Sequence, residues 1–370
     1  MPQDSLNCRF VGNWPFGPSL AVAHDAERNL VFCASGGGVY ILNIANPQNP
    51  IKVSERLHSL DMVQGVFYLN QKLYLAANKT GLEIWDVSNP SFPSQLGSFN
   101  TPGMAYDIFV SNSYAYIADG SSGLWIIDVS NPSSPRVVGS YDTPATASGI
   151  FIFGSYAYVA DWTAGLRIID ISNPSSPYEV GFCIPPGYAS GLLVSGSYAY
   201  LANYQGGFRI IDVSNPSSPS EVGFYATPND AFDVFISGSY AYLADRNAGL
   251  RIINIANPSL PYEVGFFDTP GQARGVFVLG SYAYVADNQS GLRIIDISNP
   301  SSPFEVGSYD TPGWAWDIFV SNSYAYVADG DSGFRIIDIS NPSSPYQIGF
   351  YDTPADNYKV FVSSHLALYH

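Results

Sequence analysis

The chain has 370 residues, of which 46% are hydrophobic, 15% aromatic and only 12% charged, with a formal net charge of −16. That composition is too apolar for a disordered chain, and no run of roughly 18 consecutive apolar residues is present to make a membrane span. A surface this negative repels phosphate backbones, so nucleic acid is not an expected partner, and three cysteines (Cys8, Cys33, Cys183) cannot staple a chain of this length.

The chain opens on Met-Pro-Gln-Asp-Ser-Leu-Asn-Cys, with neither a basic leader nor an apolar segment, so no signal peptide is expected. From there a repeat takes over. Asn-Pro recurs at 46–47, 89–90, 131–132, 173–174, 215–216, 257–258, 299–300 and 341–342, at an interval of 43 residues once and 42 thereafter. Each copy carries four short strand signals. In the copy from 271 to 309 they are strand A at Gly275–Leu279, strand B at Tyr282–Ala286, strand C at Leu292–Ile297 and strand D from about Phe304 to Tyr309. Gly, Ser, Asn, Asp and Pro, the residues that suit tight turns, separate them. The connections are too short for crossover helices, so each copy is an antiparallel four-stranded meander. Strand C is apolar at almost every position, which demands burial on both faces. A sheet packed radially between two neighbours meets that demand, and the fold class expected is an all-β β-propeller forming one domain over residues 1–370.

Gly123-Leu124-Trp125-Ile126-Ile127-Asp128 and Gly165-Leu166-Arg167-Ile168-Ile169-Asp170 resemble the core of the LVIVD repeat, and the resemblance covers nearly the whole chain. It implies a propeller and a bacterial or archaeal cell-surface location. The chain itself shows no signal, which leaves a cytoplasmic location open. Eight four-stranded units fit between about Ser19 and Tyr351. Arg9–Gly12 matches a strand D, and Tyr358–Val362 with His365–Tyr369 match strands A and B. Eight blades is the count expected. Nine, with the last lacking strand C, is the alternative, and the abrupt ends suggest a piece of something longer.

Variation among the copies concentrates on one face. The C-to-D turn is nearly constant as Ser-Asn-Pro-Ser-Ser-Pro, and the A-to-B turn stays close to Ser-Gly-Ser-Tyr or Ser-Asn-Ser-Tyr. The D-to-A and B-to-C turns, which share the opposite face, diverge and collect aromatic side chains. Tyr106, Trp162, Tyr188, Tyr204, Phe232, Arg274, Trp314 and Trp316 are the candidate ligand-binding residues, because rigid aromatics on loops of a rigid scaffold suit recognition. Drift of turns that bear no packing load is the competing explanation.

Several recurring groups read as structural. Asp161/Arg167, Asp245/Arg251, Asp287/Arg293 and Asp329/Arg335 are expected to form cross-strand ion pairs. Asp-x-Ser-Asn-Pro closes strand C as an ordinary turn. Asp-Gly-Asp-Ser-Gly at 329–333 has a calcium-loop look without the later ligands, so no metal and no cofactor are expected. Four histidines without repeated partners, and the lack of nucleophile elbow, zinc spacing or phosphate loop, argue against catalysis. Asp107, Asp233 and Asp317 stand where other copies have Gly and are expected to face the central channel, which leaves glycoside cleavage as the enzymatic alternative. The function expected is a non-enzymatic binding module for a protein or glycan. An architectural role in a surface layer or adhesin is the other alternative.

Overall fold

The computed structural model describes residues 21–25, 27–35, 37–46, 51–189 and 191–351. Among these residues thirty-two strands form eight four-stranded antiparallel sheets, each from four consecutive strands. We number these blades 1 to 8 (residues 21–58, 65–99, 107–141, 149–183, 191–225, 233–267, 275–309 and 317–351), with strands A to D running in sequence order within each. In blade 7 strand A is Gly275–Leu279, B is Tyr282–Ala286, C is Leu292–Asp296 and D is Phe304–Tyr309. The only difference from expectation is that strand C stops one residue earlier. No helix among the described residues is long and apolar enough to cross a membrane.

The two-faced burial of strand C appears as alternation. In blade 4, Ile168 packs with Val194 and Leu201 of blade 5, whereas Ile169 packs with Tyr116 and Ile126 of blade 3. Each such Ile or Leu buries enough surface to contribute about 1.5–3 kcal/mol, and the pattern yields eight apolar clusters, one between each pair of neighbouring blades. The cluster that joins Val31, Cys33, Tyr40 and Leu42 of blade 1 to Tyr326, Ala328, Phe334 and Ile336 of blade 8 closes the ring. The molecule is therefore an eight-bladed propeller. The nine-blade alternative fails because blade 8 already packs directly on blade 1. The segments Arg9–Gly12, Tyr358–Val362 and His365–Tyr369 lie outside the described residues. Along the innermost strands, phenylalanines touch from blade to blade: Phe67 to Phe109 to Phe151, and Phe235 to Phe277 to Phe319, at centroid distances of 5.0–5.9 Å.

The constant turn has a reason beyond its own geometry. Within it, Asp128 accepts from Ser130 N–H at 2.9 Å and Asn131 C=O accepts from Ser134 N–H at 3.0 Å. Its Pro segment also lies against the neighbouring blade's strand D, where a glycine makes room. A Cβ on Gly139 would sit 2.2 Å from Pro174 O and 2.8 Å from Pro177 Cδ. The same interlock recurs at Gly97, Gly181, Gly223, Gly265 and Gly307.

Candidate functional site

The opposite end of the ring is built by D-to-A loops and B-to-C loops that meet across blade boundaries. Trp162 of blade 4 bridges to Ala189, which leads into blade 5 and donates its N–H to Trp162 O at 3.1 Å, and reciprocal backbone bonds of about 3 Å join Tyr204 to Ala231, Arg246 to Ala273 and Asn288 to Ala315. Below the loops sit Asp119, Asp161, Asp245, Asp287 and Asp329, all fully buried. Asp119 accepts from Thr101 Oγ1 at 2.5 Å and Gly103 N–H at 2.7 Å, and Asp287 accepts from Thr269 Oγ1 at 2.5 Å and Gly271 N–H at 2.7 Å. Burial drives the pKa of all five up, to about 6 for Asp245 and Asp287.

The expected ion pairs are thus secondary. Arg335 Nε donates to Asp329 at 3.1 Å, but Arg167 and Arg293 stand 3.7 and 3.9 Å from Asp161 and Asp287. Arg251 turns instead to Asp268, at 2.8 Å, and Glu263, at 3.7 Å. The reason is register. The residue across from Arg167 on strand D is Phe182, and Arg251 faces Phe266. Both guanidiniums lie over those rings, at 4.7 and 4.5 Å, while loop N–H groups and threonines take up the aspartates. The channel-side acids are likewise engaged with backbone. Asp107 accepts from Ile108 N–H at 2.9 Å and from Ile150 N–H of the next blade at 3.0 Å, Asp233 accepts from Val234 and Val276 at 2.8 and 3.1 Å, and Asp317 accepts from Ile318 at 2.8 Å.

Seven of the eight expected binding residues form one unbroken arc. Trp162 meets Tyr188 at 5.9 Å, Tyr188 meets Tyr204 at 6.5 Å, and Tyr204 meets Phe232 at 4.8 Å, all edge to face. Arg274 then lies over Phe232 at 4.2 Å and over Trp316 at 4.7 Å, and Trp316 touches Trp314 at 6.5 Å. The eighth, Tyr106, stands apart from these contacts and covers Gly120, its hydroxyl donating to Met104 Sδ at 3.6 Å. Trp162, Tyr188 and Trp314 are 48, 43 and 49% exposed, so the arc leaves about half of these rings open to solvent. Three flanking residues were not among the candidates: Arg246 pairs with Asp230 at 2.8 Å, and Gln272 accepts from Arg274 Nη2 at 3.1 Å. They occupy the same divergent loop columns as the candidates, and that was the available signal.

The first B-to-C position has a left-handed backbone in seven blades: φ is 38° at Asn78, 57° at Gly120, 50° at Asn288 and 52° at Gly330, the residue types such backbone favours. Blades 4, 5 and 6 place Trp162, Tyr204 and Arg246 there, at 39°, 46° and 45°. Each is strained by about 1 kcal/mol relative to Gly.

The LVIVD repeat model matches the chain at residues 71–101, 102–143, 144–184, 186–227, 228–269, 270–311 and 312–353. No curated protein sequence matches it significantly. Among solved structures, the computationally designed Ika8 protein superposes with a TM-score of 0.73 at 7% identity, covering 86% of this chain and 96% of its own. BamB from Moraxella catarrhalis gives 0.67 at 13% identity, covering 87% and 94%. Sqt1 from Chaetomium thermophilum, bound to the N-terminus of the ribosomal protein L10, gives 0.69 at 12% identity, covering 84% and 94%. At these identities the likeness is one of fold.

Proposed function

The chain belongs to the LVIVD-repeat family, and we propose that it is a rigid recognition module that holds a partner protein across the face built by its D-to-A and B-to-C loops. One observation carries the proposal. The loop positions that diverged into Trp, Tyr and Arg form a contact arc, and two of its members, Trp162 and Tyr204, together with the flanking Arg246, occupy left-handed backbone where other blades have Asn or Gly. Drift without function has no reason to accumulate strain in adjacent blades. A rigid, half-exposed aromatic surface offers contact area at low entropy cost. The Sqt1 neighbour, bound to the N-terminus of L10, gives a precedent for a polypeptide held by a propeller of this shape.

A glycan is the second reading, favoured by the exposed Trp162, Tyr188 and Trp314 rings on a face that also carries Asp230 and Gln272. The architectural alternative loses part of its support, because packing of the Pro turns of blades 3 to 8 on the preceding blade's glycine already accounts for the near-constant C-to-D turn. Glycoside cleavage is disfavoured because Asp107 and Asp233 each hold two backbone amides from adjacent blades. The test is a pull-down of surface proteins and a glycan array run on the parent beside Trp316→Ala and Tyr106→Ala. Retained folding with lost binding in Trp316→Ala supports the proposal. If both variants melt far below the parent, these side chains are packing residues and the face assignment is wrong.

A further inference from the structure

Arginines in this acidic chain are almost all neutralised. Of the ten described arginines, eight have a carboxylate oxygen within 3.9 Å. The exceptions are Arg56, which lies over Phe92 on the outer rim, and Arg274, at the middle of the arc. Arg274 lies over the rings of both Phe232 and Trp316, at 4.2 and 4.7 Å, and donates from Nη2 to Gln272. Its Nε is buried with no acceptor, and its Nη1 has no hydrogen-bond acceptor among the described residues. Burial, and then the like charge of Arg246, pull its pKa down from the usual guanidinium value, against the pull of Tyr204 and Asp230. A half-buried, clamped guanidinium with unused donors is organised for an incoming carboxylate. Its planar fork takes a carboxylate in fixed geometry, and stacking has already restricted its rotamers.

We propose that Arg274 anchors a single acidic side chain of an extended polypeptide, whose flanking apolar residues lie on Tyr204, Tyr188 and Trp162 to one side and on Trp314 to the other. The inference rests on the recognition reading given above. The arc runs over loops of blades 4 to 8, which suits an extended ligand more than a compact one. A net charge of −16 repels a polyanion such as a uronic-acid polymer at long range, whereas a neutral or basic segment with one acidic residue is not excluded. Among the described residues no carboxylate pairs with Arg274, because Asp230 is already paired with Arg246.

The experiment selects a displayed random heptapeptide library on the full chain and, in parallel, on Arg274→Gln and Trp316→Ala. The Gln variant places at this position the residue that blade 2 carries as Gln64, so its folding is expected to hold. Enrichment on the parent of one acidic position between apolar residues supports the inference. So does a loss of about ten- to a hundredfold in affinity in Arg274→Gln, with a similar loss when the peptide's acidic residue becomes its amide and little further loss when both changes are combined. Peptides that are lost in Trp316→Ala but show no acidic preference, or that bind Arg274→Gln equally well, overturn the carboxylate anchor and leave the recognition face standing. No enrichment on the parent, or binding indifferent to Trp316→Ala, overturns both. An oligouronate that binds the parent where peptides do not overturns the polypeptide assignment.

Discussion

The buried aspartates under the loops set a pH dependence that can be worked out residue by residue. Asp245 and Asp287 have folded-state pKa values raised to about 6 by burial. A carboxyl with a raised folded pKa stabilises fully below its unfolded value near 3.9, and that contribution is lost as pH rises through about 6. The turn aspartates act in the opposite sense. Asp128 is held at about 2, chiefly by Ser130, so its contribution is present above about pH 4 and lost in stronger acid. Stability is therefore expected to rise from pH 7 towards about pH 4.5 and to fall below pH 4, read from urea midpoints across that range. Asp287→Asn copies Asn203 of blade 5, which donates to Pro186 O at 2.6 Å. It should reduce the rise between pH 4.5 and 7, leaving the share of Asp245, while folding normally. An unchanged slope would mean that Asp287 does not titrate as described. The sequence showed these acids and their arginines but not which partners each would take. Register places Phe182 and Phe266 across from Arg167 and Arg251, and loop amides outcompete the arginines for the aspartates.

Among the elements, strands were legible and interlocks were not. Alternating apolar runs between turn residues placed strands A, B and D of blade 7 at their observed bounds, because a two-residue period and Gly or Asn turns are local properties. Why Ser-Asn-Pro-Ser-Ser-Pro is nearly constant is not local, since its partner is a glycine on the preceding blade's strand D. Two glycine substitutions separate these cases. Gly265→Ala puts a Cβ 2.2 Å from Pro300 O, and the backbone of two blades must give way, so a loss of about 2–3 kcal/mol is expected. Gly238→Ala, in an A-to-B turn with φ of 57° and open space around it, should cost only about 1 kcal/mol from backbone strain. Equal losses in chemical denaturation would remove the interlock as the cause of the constant turn.

At the scale of the molecule, eight similar blades closed by eight similar clusters free one end of the ring to vary. The candidate residues were legible as a set because near-identical copies expose where divergence was allowed. Their joining into one arc through Arg274 was not legible, because it depends on which loop of one blade leans on which loop of the next. Nor was the strain at Trp162, Tyr204 and Arg246, although Asn78, Gly120, Asn288 and Gly330 at the same position hinted at it.

The central claim is that this arc is kept for recognition and not for packing. Its most direct test replaces the three strained residues together, as Trp162→Asn, Tyr204→Asn and Arg246→Asn, giving blades 4 to 6 the residue of blades 2 and 7. Capture of displayed peptides and arrayed glycans is then compared with the parent, with the urea midpoint as the check on folding. Relief of strain should roughly offset the lost ring contacts, so stability is expected within about 1 kcal/mol of the parent while capture disappears. A variant that captures as the parent does, or that loses more than about 3 kcal/mol of stability, would contradict the account.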